Sequence, residues 1–535
     1  MIRDVLADAL LAGLSALDVE PLPATVEINR PARREHGDWS SNVALVVARA
    51  AGRPPRQLAL ELANWLSCHP LPHLDSVEVA GPGFVNVRLH HGWLHDTLRE
   101  VVTAGVDGYA RPDLGHGTRV NVEFVSANPT GPLHVGGGRW AAYGDSVCRL
   151  LERGGHQVHR EYYLNDRGHQ MTMFIRSLAA RHAGEEVPGE GYHGDYVAEW
   201  AAEMPPGADV AQWGYERVQR ELADTLARMH VRFDTWFSEQ AMVVSGANDA
   251  ALDDLRRRGV VYEADGAVWL RATDFGDRQD QVLVKSDGDP TYLLSDIAYH
   301  RDKFARGFQH LIDVWGSDHH GHIVRLKAGI AALGHDPDEL EVLLGQLVTL
   351  KRGGQVVRMG KRSGEFVELA EVLDEVGPDV ARLTFLLQSI DTTQVFDVDA
   401  VVRQSMENPV YYVQYAHARI ASIGRVAAER GVVRQPLDEV ELGRLGHERE
   451  LDVLRSLAGL PDVVADACAT RAPHKVTNWV RELATAFHGF YHDCYVMGTG
   501  VEPELTQARL WLVEAARVGL AIGLDLLGVD APQSM

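Results

Sequence analysis

A chain of 535 residues is too long for one hydrophobic core and predicts two to four domains. With 45% hydrophobic and 24% charged residues it has the composition of a globular protein, and no apolar run is long enough to span a bilayer. The net charge of −23 speaks against a nucleic-acid binder on composition alone, although a local basic patch on an acidic protein can still hold RNA.

Residues 1 to about 105 predict a small α+β unit. Helical patterns over 5–17 and 44–65 frame strands over 25–29, 76–79 and 84–89. The first pattern carries Asp4 and Asp8 and lacks a basic start and a clean apolar block, so it predicts an amphipathic helix and not a signal peptide. Arg30, Arg33 and Arg34 are either a solvated turn or an RNA contact. Residues 107–117, polar with glycine and proline, predict a linker. Cys68, Cys148, Cys468 and Cys494 show no C-x-x-C spacing and predict reduced, buried thiols in the cytoplasm.

The stretch 120–166 is the organising one. Val120, Val122 and Phe124 begin a buried strand, and Asn128-Pro129-Thr130-Gly131-Pro132 break it. His134-Val135-Gly136-Gly137-Gly138 open a helix with an apolar face at Val147, Leu150 and Leu151, ended by Gly154-Gly155 and followed by a strand over 158–164. This βαβ unit predicts a parallel sheet. A histidine and three glycines at a helix N-terminus suit an anion, because unpaired N–H groups and the helix dipole favour negative charge. The spacing is not G-x-G-x-x-G with a ribose-binding acid, which makes a nicotinamide site a poor reading.

Further on, 179–206 predicts an insertion, 215–229 a helix, 260–270 a hairpin around Asp265-Gly266, and 281–285 a strand. Tyr292 and Asp296 stand four apart on a helix and share a face, where a phenol and a carboxylate can hold a guanidinium; a surface pair at a helix start is the plainer alternative. His319, His320 and His322 form the densest histidine cluster, but they are too close in sequence to converge easily on one metal, and no metal is assigned. A strand over 346–350 leads into the basic loop Arg358-Met359-Gly360-Lys361-Arg362. Beyond 365 the pattern is helical, with helices over 401–425, 451–467, 474–491 and 507–527 and no β-rich stretch, predicting an α-bundle. Tyr411, Tyr412 and Tyr415 give it an aromatic stripe, mostly core, of which exposed members could stack on bases.

His134-Val135-Gly136-Gly137 resembles the HIGH box of class I aminoacyl-tRNA synthetases, and Arg358-Met359-Gly360-Lys361-Arg362 resembles their KMSKR loop. Glu123-Phe124, Ser126 through Pro132 and Glu161 through Asp166 are similar to arginyl-tRNA synthetases in particular, as are Glu35-His36-Gly37-Asp38-Trp39 and Gly81 through Asn86 to the extra N-terminal domain of the bacterial type. The resemblance implies an α/β multidomain protein: a tRNA elbow-binding domain (1–106), a Rossmann-type catalytic domain with insertions (117–370) and an α-helical anticodon-binding domain (371–535). It implies ATP-dependent attachment of arginine to tRNA(Arg) through an arginyl-adenylate, with ATP and Mg2+ as substrate and not as a resident cofactor, in a cytoplasmic monomer. Activation of arginine would need bound tRNA. By the same resemblance His134 and Lys361 are catalytic. Gly136, Gly137, Gly138, Arg358 and Met359 join them around ATP, Glu123, Asn128, Tyr292, Asp296 and Asp318 hold arginine, and Tyr411 and Tyr415 contact tRNA.

Three positions depart from the family pattern. Gly137 stands at the second histidine of the box, Arg358 at the first lysine of the loop and Gly360 at its serine. Those departures keep two rivals open, a paralogue that activates arginine for another pathway and a catalytically silent tRNA-binding protein.

Overall fold

The computed structural model describes residues 2–532 other than 32, 70, 318–319, 358–366 and 404–407. The chain gathers into two compact units, one of 1–107, 423–458 and 486–518, the other of 108–422, 459–485 and 519–535.

The first unit begins with helix Ile2–Ala16, which buries Leu6, Leu10 and Leu14 along one stripe. Its three-stranded antiparallel sheet has Phe84–Leu89 between Trp39–Ser41 and Leu74–Ala80. The strand expected over 25–29 is reduced to one bridge, Asn29 to Ser40, and the edge strand is Trp39–Ser41. The single helix expected over 44–65 is two, Val43–Ala51 and Pro55–Cys68. Gly52, at φ 62°, caps the first in the left-handed region, and two prolines follow that cannot donate into a helical ladder. Cys68 is exposed, against expectation, because it is the last residue of that helix; all four cysteines are free.

The second unit is built on five parallel strands. We label them β1 (Arg119–Glu123), β2 (Gln157–Leu164), β3 (Thr235–Ser238), β4 (His310–Gly316) and β5 (Leu340–Gly345), in the order β3-β2-β1-β4-β5. The first crossover is helix α1 (Val135–Arg153), whose C-terminal half buries Val147, Leu150 and Leu151 as the pattern predicts. It sits close to the sheet because residue 144 is glycine: a Cβ there would lie 2.2 Å from Cγ of Phe124, the buried residue just past β1. Helices α2 (Tyr292–Ala305) and α3 (His320–Ala332) flank β4 in sequence, and their buried residues share one apolar cluster. The chain turns away from its initial direction across the sheet between β1 and β4, and a doubly wound sheet opens a crevice at the carboxyl ends of its strands at such a switch.

Two smaller sheets complete the unit. The predicted hairpin, Val261–Ala264 and Ala267–Leu270, takes Gln281–Val284 as a third strand. Val348–Arg352 pairs with Gln355–Val356 and, in parallel, with Gln394–Asp397. That last strand corrects the expectation of helix alone beyond 365; with only Gln394 and Phe396 buried, it is too short to show a period in sequence. The helix expected over 451–467 is likewise two, Glu448–Ala458 and Leu460–Ala469, parted at Gly459 ahead of Pro461.

Candidate active site

The carboxyl ends of β1, β3 and β4 border a cavity of about 1160 Å³. It is lined by Glu123, Asn128, His134, Gly137, Tyr292 and Asp296, which sequence reasoning placed in one site, and by Tyr163, Glu239, Tyr299, His300, Trp315 and His322.

The floor is a charge network on one face of α2. Asp296, Tyr299, His300 and Lys303 recur at helical spacing; Asp296 lines the cavity, and the other three bond carboxylates carried by the sheet. The Lys303 ammonium, fully buried, donates to Glu123 Oε2 at 2.8 Å and to Asp313 Oδ1 at 2.9 Å, joining the end of β1 to the middle of neighbouring β4. Burial works against this cation, but Asp313 and then Glu123 outweigh it and hold its pKa above the ordinary lysine value. Burial raises the Glu123 carboxyl against the pull of Lys303. Burial would raise the Asp313 carboxyl as well, yet Lys303 and His300 keep it well below the carboxylate range. His300 bonds the Asp296 carbonyl through Nδ1 at 2.8 Å and Asp313 Oδ2 through Nε2 at 2.9 Å. Beside this set, Arg306 forks onto Glu161 at 2.6 and 2.8 Å, and the Tyr299 hydroxyl donates to Glu161 at 2.7 Å.

The turn after β1 is strained. Val125 at φ 68° and Ser126 at φ 37° both lie in the left-handed region, which is costly for a β-branched residue. Ser126 holds the turn: its hydroxyl donates to Glu123 Oε1 at 3.1 Å and accepts the Tyr163 N–H at 3.1 Å. The turn delivers Asn128, whose amide donates to Gln170 at 2.8 Å, to the cavity wall.

His134 is the N-cap of α1, half-buried at the cavity. Gly136 fits under its ring, since a Cβ there would lie 2.8 Å from Cε1. Gly137 reaches the cavity and Gly138 is packed beneath Leu369 and Phe385. Two N–H groups of this turn are already bonded, Val135 to the Val367 carbonyl at 3.2 Å and Gly137 to the His134 carbonyl at 2.8 Å, which leaves fewer for a phosphate than the glycine run implies. Arg358, Met359, Lys361 and Asp318 lie outside the described residues. Tyr411 and Tyr415 stack on each other on helix Pro409–Glu429, ring centroids 5.7 Å apart, both half-buried.

Sequence reasoning missed Glu239. It follows β3 directly, its carboxyl hydrogen-bonds Tyr163, and burial raises its pKa, opposed by Arg167 and reinforced by the charge of Asp296. Two carboxylates that repel each other across one cavity make a site for a cation with several N–H donors. The signal was an acid at a strand end, visible only once the sheet order was known. His322, read in sequence as part of a histidine cluster, donates instead to Asp296 Oδ2 at 2.7 Å.

The order β3-β2-β1-β4-β5, a capping histidine on the first crossover helix and a cavity at the switch point define the catalytic fold of a class I aminoacyl-tRNA synthetase. Residues 100–190 and 212–420 match the family model described as "tRNA synthetases class I (R), catalytic domain". Residues 1–89 match the arginyl tRNA synthetase N terminal domain, and 413–535 the DALR anticodon binding domain. The chain is 47% identical to an arginine–tRNA ligase of Frankia alni, with 99% of each chain covered. It is 44% identical to that of Moorella thermoacetica, covering 100% of this chain and 98% of the other. A solved arginyl-tRNA synthetase of Thermus thermophilus shares the fold along both full chains, at a TM-score of 0.78 and 23% identity. The protein belongs to the arginyl-tRNA synthetase family.

Proposed function

We infer that the chain attaches arginine to tRNA(Arg) in an ATP-dependent reaction. The observation that carries this reading is the Glu239–Asp296 pair, two carboxylates that feel each other's charge in a cavity that His134 also lines. A guanidinium bound between the pair, with Tyr292 beside it, leaves the arginine α-carboxylate pointing toward α1. Glu123, at the end of β1, takes the amino group, and Asn128, in the turn that follows, takes the carboxylate. The α-carboxylate attacks the α-phosphorus of ATP, the bond to pyrophosphate breaks, and arginyl-adenylate forms. A ribose hydroxyl of the terminal adenosine of tRNA then attacks the acyl carbon and AMP leaves. Neither step needs a protein nucleophile; positioning and neutralisation of developing charge suffice. His134 and the Gly136–Gly138 turn face the phosphates, Lys361 with Arg358 and Met359 covers the leaving pyrophosphate, and Asp318 completes the arginine pocket. Mg2+ enters with the triphosphate as part of the substrate.

The domain roles follow the family pattern: 1–106 meets the tRNA elbow, 117–370 carries the chemistry, and 371–535 reads the anticodon, with Tyr411 and Tyr415 at the RNA. The enzyme works as a monomer in the cytoplasm; among the described residues no helix is long and apolar enough to cross a membrane. A carboxylate pair lining the cavity of a chain that matches an arginine–tRNA ligase over 99% of its residues supports this reading over a silent tRNA-binding protein.

Arginine-dependent ATP–pyrophosphate exchange with and without tRNA(Arg), together with aminoacylation, tests the reading. Exchange that requires tRNA is expected. Lys361→Ala should abolish it, and Glu239→Gln should raise the KM for arginine by about 10-fold or more, the loss of one charge-assisted contact. Exchange without arginine, or an unchanged KM in Glu239→Gln, would defeat it.

A further inference from the structure

We propose that His322 is a positioning residue for arginine: it fixes the orientation in which the Asp296 carboxylate meets the guanidinium, and Glu239 supplies the rest of the clamp. This rests on the reading of the cavity as the arginine site.

His322 Nε2 donates to Asp296 Oδ2 at 2.7 Å, a bond between the first turn of α3 and the first turn and a half of α2. Both groups are partly screened from water, with side-chain exposures of 25% and 32%. The imidazole is itself braced, its centroid 5.9 Å from that of Trp315 at the end of β4. Among the described residues Asp296 Oδ1 has no protein donor, and the carboxylate lines the cavity.

The terminal torsion of an aspartate is broad and two-fold, so an untethered Asp296 would rotate among many orientations. A single strong bond to Oδ2 removes that freedom and presents Oδ1. Oδ2 keeps a second lone pair, so the bond sets the direction in which the carboxylate meets the guanidinium, and Glu239 takes the N–H groups that Asp296 does not. An imidazole N–H orients the carboxylate without the fixed positive charge that lysine or arginine would set against the substrate. His322 therefore acts through Asp296 and touches no reacting atom.

Steady-state aminoacylation of tRNA(Arg) by the full-length enzyme, with arginine and ATP varied in turn, provides the test. His322→Phe keeps a ring beside Trp315 and removes the donor. It should raise the KM for arginine about 10-fold while kcat, the KM for ATP and the unfolding midpoint stay near wild type, as for loss of uniform binding. His322→Gln, which returns an N–H donor, should recover most of that loss. An unchanged KM for arginine in His322→Phe, equal rises in both KM values, or a Gln variant no better than Phe would overturn the proposal. Asp296→Asn separates it from its premise: if that variant binds arginine as wild type does, the assignment of the cavity falls, whereas a loss there with none in His322→Phe removes only the role of His322.

Discussion

Lys303 is the residue on which the charge balance under the site turns. It is fully buried between Glu123 and Asp313, with His300 on the far oxygen of Asp313. Such groups are held by one another, since removing one partner of a buried ion pair leaves the other uncompensated. The pH dependence follows from Asp313, whose carboxyl lies well below the ordinary range in the folded protein because Lys303 and His300 outweigh burial. A depressed folded-state pKa contributes stability that is complete above the unfolded value of ~3.9 and is lost as pH falls toward the folded one. From pH 5 to pH 3 the wild type should therefore lose about 1 kcal/mol that Asp313→Asn does not. Urea unfolding at both pH values measures it: the stability gap between the two proteins should narrow at pH 3, and a constant gap would refute the argument. None of this was visible in sequence. Lys303 was one cation on a helix, and its partners lie 180 and 10 residues away.

At the scale of elements, the β1–α1–β2 unit was legible because three independent signals agreed: apolar alternation, a proline–glycine break, and helical spacing ended by paired glycines. Its inner constraint was not legible. Gly144 falls mid-helix, where glycine is ordinarily a cost of about 1 kcal/mol relative to alanine, yet the helix axis can approach Phe124 only without a side chain there. Gly144→Ala should thus destabilise despite its better helix propensity, by about 1–3 kcal/mol as for overpacking. Thermal unfolding tests the sign; a stabilised variant would mean that α1 moves off the sheet freely. The elements misjudged in sequence share a cause. The helix drawn over 44–65 ignored the break that Gly52 and two prolines impose, and that over 451–467 ignored the one at Gly459 and Pro461. The strand Gln394–Asp397 is defined by its partner Val348–Arg352 and not by its own pattern. The candidate site was legible as far as motifs reach, to Glu123, Asn128, His134, Gly137, Tyr292 and Asp296, which line one cavity; Glu239 and the bond from His322 needed the sheet order and two helix starts brought together.

For the whole molecule, three family matches follow one another along the chain, but compactness divides it in two. Residues 519–535, inside the match to the anticodon-binding domain, gather with the catalytic sheet. The tie is specific. Arg382, with no exposed surface, donates to the Leu527 carbonyl at 2.9 Å, to the Met229 carbonyl at 2.6 Å and to Asp145 on α1 at 2.7 Å. Arg149, also on α1, reaches Asp525 at 3.2 Å. The C-terminal end of the last helix, Pro503–Leu527, therefore completes the burial of a guanidinium that holds the crossover helix of the active site. A chain ending at residue 518 would leave Arg382 short of one acceptor, with its Asp145 and Met229 partners in place, at a cost of about 1–3 kcal/mol for the lost charge-assisted bond. It should lose arginine activation together with anticodon reading, and tRNA concentration should not rescue it. Calorimetry of the truncated protein, alongside exchange at saturating tRNA, decides the point. A catalytic unit that melts as in the full chain and still activates arginine would show that the last helix serves RNA binding alone.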